Sequence, residues 1–401
     1  MTSEIRPMSD DELRAEVRAW LKDNWKNDLP PAAQWKMGPE HLAWYGKVVD
    51  ARWAVNRWPV AWFGRDLSDE QAKIVEREFR AAGAPGAGLD KSQLYAITAL
   101  AFGTDVLKNA VLRKILTGEV SMCLLYSEPG AGSDLAGVRT RAAPDGDDFV
   151  VNGQKVWTSG AATADYGMLI ARTDWDVPKH QGISFFFLPM KQPGVEVRPL
   201  RQVTDESHFN EVFITDARVP AEFMLGGLNN GWRVLQTALA YERSVMGDGA
   251  RGPRRGDDKS ANDMIALTRE AGKLGDPVVR QDLAKVLSYR KLNALNNARA
   301  KADLATGTSS PIMSLGKLAM SRILHEEARL RTALLGAGSL LEGERFPRAD
   351  DANFLSLNAY FTSIGGGTDQ IQRNIIGERV LGLPKEPEID RTIPFREVRA
   401  G

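Results

Sequence analysis

Between Tyr126 and Gly160 the chain reads YSEPGAGSD (Tyr126–Asp134) and then, after a short interval, NGQKVWTSG (Asn152–Gly160). The small-residue run Pro129-Gly130-Ala131-Gly132-Ser133-Asp134 lets main chain come close to a flat ligand and leaves amides and a hydroxyl free to bond it. In the second piece, Val150-Val151 and Gln154-Lys155-Val156-Trp157 flank Asn152-Gly153, the dipeptide that most readily supplies the two positive-φ positions of a tight turn. The pattern predicts a hairpin turning at Asn152-Gly153. Alternation then puts Lys155, Trp157 and Ser159 on one face, with Gln154, Val156 and Thr158 on the other. Trp157 and Ser159 are expected to meet the same ligand.

Outward from this stretch the texture changes twice. Residues from about Ser9 to Val120 are mostly helical in pattern, starting at Ser9-Asp10-Asp11-Glu12, a cap followed by acids in the first turn. The segment NRWPVAWFGRDLS interrupts them with Pro59 and Gly64. From Ser121 to Val219 short β-rich runs follow, among them YGMLIART, GISFFFLPM, VEVRPL and NEVFITDARVP, separated by Gly, Pro, Asp and Asn. Helix returns from Gly231. The expected order is an N-terminal helical domain (1–120), a middle antiparallel β-barrel or sandwich (121–230) and a C-terminal helical domain (231–401), an α+β chain. Residues 246–263, MGDGARGPRRGDDKSAND, are expected to form an exposed or mobile loop, either a solvated linker or a place where Arg251, Arg254 and Arg255 meet phosphates.

The 401 residues are 43% apolar and 26% charged, ordinary for a globular protein, and suffice for two or three packed units. Lys plus Arg equals Asp plus Glu at 52 each, so no bulk field favours nucleic acid or a membrane surface. The lone cysteine, Cys123, sits in the apolar run SMCLLY and reads as core. It excludes an internal disulfide and fits a reducing compartment. The acidic beginning lacks an apolar signal region, and no apolar run reaches the roughly twenty residues that span a bilayer. The expectation is cytoplasmic. His41, His180, His208 and His325 lack acid or Cys partners at ligand spacing, so no metal is expected. Glu128 and Asp134 are expected to cap the Gly-rich turn or to pair locally.

In GWRVLQTALAYERSVMG, the residues Trp232, Leu235, Leu239, Glu242 and Met246 follow a 3-4-3-4 spacing that places them on one stripe. A solvated glutamate would not occupy that stripe. Glu242 is therefore either half of a buried ion pair or a carboxylate kept for chemistry.

YSEPGAGSD and NGQKVWTSG, in this order and at this spacing, resemble the two middle-domain signatures of the acyl-CoA dehydrogenase family, flavoenzymes that bind FAD and desaturate acyl-CoA thioesters. The resemblance covers essentially the whole chain. It implies that Tyr126, Ser127, Gly132 and Ser133 contact flavin or the thioester-bearing ligand. Trp157 and Ser159 would lie beside the isoalloxazine ring, and Thr368 and Gln370 near the ribityl and diphosphate region. Many members place the catalytic glutamate just before the Gly-Thr of a C-terminal motif, but that run here is Ser363-Ile364-Gly365-Gly366-Gly367-Thr368-Asp369-Gln370, with Gly366 at the position. The base is then expected at Glu242, as in the isovaleryl-type and long-chain-type members, held in a mostly apolar slot that raises its pKa. Arg243 matches an arginine that orders the active site for substrate, and the Gly366 N–H would still face the thioester carbonyl.

The family's Arg-x-x-Phe-Gly run, which reaches a neighbouring subunit's FAD in homotetramers, is missing; AGKLGDPVVRQDLAKV stands in its region. The resemblance therefore implies either a homo-oligomer or a heteromer with a related subunit, as in bacterial relatives acting on bulky, including steroid-derived, acyl-CoAs. An electron-transferring flavoprotein is the implied electron acceptor. A same-fold oxidase, a nitroalkane-type enzyme or desulfinase, and a non-catalytic partner subunit remain alternatives.

Overall fold

The computed structural model describes residues 8–30, 37–247, 257–305, 313–388 and 390–398. The chain divides into two compact units, one made of Met1–Leu200, Ser207–Glu242 and Ile389–Gly401, the other of Arg201–Glu206 and Arg243–Glu388. The helical and β-rich segments expected as separate domains both fall in the first.

In that first unit, helix α1 (Asp10–Asn24) starts where its cap predicts. The Ser9 hydroxyl accepts from Glu12 N at 3.3 Å while the Glu12 carboxylate accepts from Ser9 N at 2.9 Å, satisfying two of the amides that a helix start leaves unpaired. Its Leu13, Val17 and Leu21 are buried together with side chains of α2 (Pro39–Asp50), α3 (Asp69–Ala81), α4 (Leu94–Phe102) and α5 (Asp105–Thr117).

The β-rich segment supplies β1 (Met122–Leu125), β2 (Arg141–Asp145), β3 (Asp148–Ser159), β4 (Tyr166–Arg172), β5 (Ile183–Pro189), β6 (Val195–Leu200), β7 (Phe209–Pro220) and β8 (Met224–Leu225). They form one sheet in the order β6-β7-β3-β2-β4-β5-β8, with β1 on β4. The sheet is mixed rather than purely antiparallel, because β1 and β2 both pair with β4 in parallel. The long connections between these strands permit it, whereas two-residue turns would not. Residues 167–172 and 183–188 are buried throughout, which is why these two strands read as continuous apolar runs.

Asn152-Gly153 is not a turn. The chain reverses at Gly146 (φ +63°) between β2 and β3, and β3 runs straight through Asn152-Gly153 with a bulge in its pairing to β7. Two contacts explain the difference. Both ends of the Asn152 amide bond Asp216, its Nδ2 donating to the carboxylate and its Oδ1 accepting from the Asp216 amide, each at 2.9 Å. A Cβ on Gly153 would lie 2.3 Å from Thr140 Oγ1, so glycine stands here for close packing.

Helix α6 (Gly231–Gly247) follows the sheet, burying Val234, Leu235 and Ala238 in the core shared with Tyr126, Ala131 and Phe185. The second unit contains α7 (Asp257–Glu270), α8 (Pro277–Ala305), α9 (Met313–Leu335), α10 (Pro347–Ile364) and α11 (Asp369–Arg379). Met264, Leu267, Leu283, Val286, Leu330 and Leu334 form its core. The loop expected over 246–263 is shorter at both ends, since α6 continues to Gly247 and α7 starts at Asp257. Arg251, Arg254 and Arg255 lie outside the described residues. No helix among the described residues is long and apolar enough to cross a membrane.

Candidate active site

The Gly-rich segment and β3 are stitched together by a buried ion pair. Lys155 has a fully buried side chain, and its Nζ donates to Glu128 Oε1 at 2.8 Å and to the Tyr126 carbonyl at 3.1 Å. Glu128 also accepts from the amides of Arg139 (2.7 Å) and Thr140 (2.9 Å), while the Val156 amide donates to the Ser127 carbonyl at 2.9 Å. Burial pushes the Glu128 carboxyl up, but the Lys155 charge and these hydrogen bonds outweigh it and hold the group below its ordinary value. Burial pulls the Lys155 ammonium down, and Glu128 offsets that only in part. With one partner gone, the other would remain buried and uncompensated.

This pair also corrects the expected faces of β3. A second bulge between Lys155 and Thr158 places Trp157 at φ +62° and breaks the alternation. Lys155 and Val156 are both buried, while Trp157 (62% exposed) and Ser159 are turned to the outside. Trp157 and Ser159 are thus both exposed, as the alternation predicts, but without Lys155. The indole rests edge-on against Phe209, with centroids 6.1 Å apart.

The Gly-rich run is largely open to solvent. Gly132 and Ser133 are exposed, Ser127 is half-buried, and Tyr126 is buried beside Phe185. A Cβ added at Gly130, Gly132 or Gly160 would meet nothing within 4 Å. Backbone left bare at Gly130 and Gly132, with an exposed indole on the strand that bonds this segment, fits a flat aromatic cofactor such as flavin. Asp134 bonds Lys179, 45 residues away, at 3.0 Å, so its partner is not local.

Arg172 was not singled out by sequence, although a lone charge ending the apolar run YGMLIAR was a signal for it. Its guanidinium is buried and donates to the carbonyls of Ala136 (2.6 Å), Val138 (3.2 Å) and Lys179 (2.5 Å), with its charge 3.7 Å from the centre of the Phe395 ring. Burial pulls it down to about 10. Through these bonds β4 holds the loop that follows the Gly-rich run.

Helix α6 carries Glu242 one turn beyond Ala238 and two beyond Leu235, on the continuation of the buried stripe. The side chains of Glu242 and Arg243 lie outside the described residues. Cys123 is core, fully buried on β1, its thiol pushed up to about 12 by burial.

In the second unit, Gly366 (φ +66°) and Gly367 (φ +86°) form an exposed left-handed turn ahead of α11. A glutamate at Gly366 would be strained by roughly 1–2 kcal/mol, which fits its replacement by glycine. Thr368 caps α11 by accepting from the Ile371 amide at 3.2 Å, and Gln370 is exposed.

Helices, then a mixed sheet, then helices follow one another along the chain, and the comparisons place this order among oxidoreductases. The pattern "Acyl-CoA dehydrogenase, middle domain" matches residues 123–217 and "Acyl-CoA dehydrogenase, C-terminal domain" matches residues 229–381, and the chain belongs to the acyl-CoA dehydrogenase family, which is flavin-dependent. It is 35% identical to acyl-CoA dehydrogenase IpdE1 of Mycobacterium tuberculosis, over 94% of this chain and 98% of that protein. Among solved structures it is similar to the Tcur3481-Tcur3483 steroid ACAD, with a TM-score of 0.71 and 29% identity over 95% of this chain and 99% of that one. The ChsE4-ChsE5 complex from Mycobacterium tuberculosis gives a TM-score of 0.65 and 28% identity, over 96% of this chain and 100% of its own.

Proposed function

We propose that this chain carries out FAD-dependent α,β-desaturation of an acyl-CoA thioester, with Glu242 as the base. The observation that carries this is the shared core in the first unit. Tyr126 and Ala131 of the Gly-rich segment and Val234, Leu235 and Ala238 of α6 belong to one buried cluster, so the helix bearing Glu242 is built into the same body as the cofactor ledge. The glycine at position 366 removes the competing base.

In this reading Tyr126, Ser127, Gly132, Ser133, Trp157 and Ser159 receive the cofactor and thioester, Thr368 and Gln370 serve its ribityl and diphosphate region, and Arg243 orders the substrate. Glu242 takes the α proton as the β carbon gives up its hydrogen with the bonding electron pair, leaving a carbon–carbon double bond. FAD supplies the two-electron acceptor for that hydride. The Gly366 N–H donates to the thioester carbonyl, stabilising the charge that builds on its oxygen as the α proton leaves.

We assign the acyl group to the bulky, ring-bearing class and the assembly to an oligomer completed by a related subunit, working with an electron-transferring flavoprotein in the cytoplasm. The similar Tcur3481-Tcur3483 steroid ACAD supports the first assignment, and the ChsE4-ChsE5 complex supports the second. A stripe on α10 supports the assembly as well. Phe354, Leu357, Phe361 and Ile364, spaced 3-4-3, are all exposed, more apolar surface than a solvated helix ordinarily presents. Stopped-flow reduction with ring-bearing and straight-chain acyl-CoAs tests the reading. Faster bleaching of flavin by ring-bearing substrates supports it, and a Glu242→Gln protein that bleaches at the wild-type rate overturns the assignment of the base.

A further inference from the structure

Three glycines in succession have more backbone freedom than any other tripeptide, so a Gly365-Gly366-Gly367 turn cannot hold one amide in place by itself. Its flanks, however, are tied. Ser363 precedes the turn on α10, Asp369 follows it on α11, and Ser321 of α9 bridges them: its Oγ lies 2.7 Å from Ser363 Oγ and 2.8 Å from Asp369 Oδ2. Ser321 is buried to 1% exposure. Lys317 Nζ meets the other Asp369 oxygen at 3.2 Å, and His325 Nε2 lies 2.8 Å from Ser363 Oγ.

Proton counting gives these bonds a direction. A carboxylate only accepts, so the single Ser321 proton goes to Asp369 and Ser321 must accept from Ser363. The Ser363 proton is then committed to Ser321, with a longer arm to the Ala359 carbonyl at 3.3 Å. His325 must therefore donate from Nε2 to Ser363. The carbonyl side of the turn is held from α11, where Gln372 Nε2 reaches the Gly366 oxygen at 3.4 Å.

We infer that the one-way chain His325 to Ser363 to Ser321 to Asp369 clamps both flanks of the Gly365–Gly367 turn, making Ser321, Ser363 and His325 positioning residues for the Gly366 N–H. This rests on the proposed role of that N–H at the thioester carbonyl. None of the three need touch substrate, because each acts through the turn.

The test combines hydrogen–deuterium exchange of the peptide covering the turn with stopped-flow flavin reduction, in the oligomer as purified. Ser321→Ala is expected to speed exchange at the turn by about tenfold. The same variant should slow reduction by about tenfold while the substrate concentration for half-maximal rate stays nearly constant. Because Ser321 is buried, the half-buried His325 gives an independent arm. His325→Gln keeps an N–H donor and should restore both readouts, whereas His325→Phe should match Ser321→Ala. Unchanged exchange in Ser321→Ala and His325→Phe overturns the clamp. Faster exchange with unchanged reduction keeps the clamp but overturns the positioning role and the donor reading of Gly366, while leaving the Glu242 assignment to its own variant.

Discussion

The two glycine-rich turns of this chain use glycine for different reasons. Gly130 and Gly132 do not adopt left-handed φ, and apart from their chain neighbours nothing lies within 4 Å of where their side chains would begin. Gly366 and Gly367 have φ of +66° and +86°, which only glycine adopts freely. The first turn keeps a surface clear, and the second reaches a conformation. Their anchoring differs too. The Gly-rich ledge is held by the buried Lys155–Glu128 pair, and the C-terminal turn by a chain of neutral hydroxyl bonds ending on Asp369. A ledge that admits a ligand needs a fixed floor and an empty top, whereas an amide aimed at one atom needs its own dihedrals held.

Neither turn supplies the base, so the largest effect should come from elsewhere: Glu242→Gln should lower the flavin reduction rate by about 10²–10⁴-fold, seen by stopped flow, while the flavin spectrum is retained. Next, Lys155→Met leaves the buried Glu128 carboxylate its two amide donors but no paired ammonium, and should cost about 3–5 kcal/mol in urea unfolding. Replacing both partners by apolar or neutral groups should cost less than Lys155→Met. Since the folded Glu128 pKa is depressed, its contribution is present above the ordinary carboxylate range and is lost as pH falls through the folded value. Acid unfolding of Glu128→Gln should therefore show a shallower pH dependence than wild type.

The smaller effects separate the two kinds of glycine. Gly132→Val should leave unfolding within about 0.5 kcal/mol of wild type. It should nonetheless weaken FAD binding by at least about tenfold in a fluorescence titration, since the added methyls stand on the ledge. Gly366→Ala should do the reverse, losing about 1 kcal/mol in unfolding through its left-handed φ with FAD affinity little changed. If both variants lost stability equally, the distinction between access and conformation would collapse.

Much of the fold was legible because periodicity and capping are local. The Ser9 capping box, the apolar runs of β4 and β5 and the α6 stripe all depend on residues within a turn or two of each other. Asn152-Gly153 misled for the same reason. Its turn propensity is intrinsic, but Asp216 and Thr140, each distant in sequence or on another strand, claim the two residues for a bulge. The faces of β3 then shifted with the second bulge at Trp157, which no two-residue periodicity could foresee.

The motifs Tyr126–Asp134 and Asn152–Gly160 made the family legible by residue identity alone, since each needs only its neighbours to be recognised. Which side chains hold those motifs in place came only from the folded chain. Lys155 beneath the ledge, Arg172 behind its loop, and Ser321 between the flanks of the glycine turn act on partners 27 to 48 residues away. Burial gives these polar contacts their strength, and burial is a property of the packed molecule.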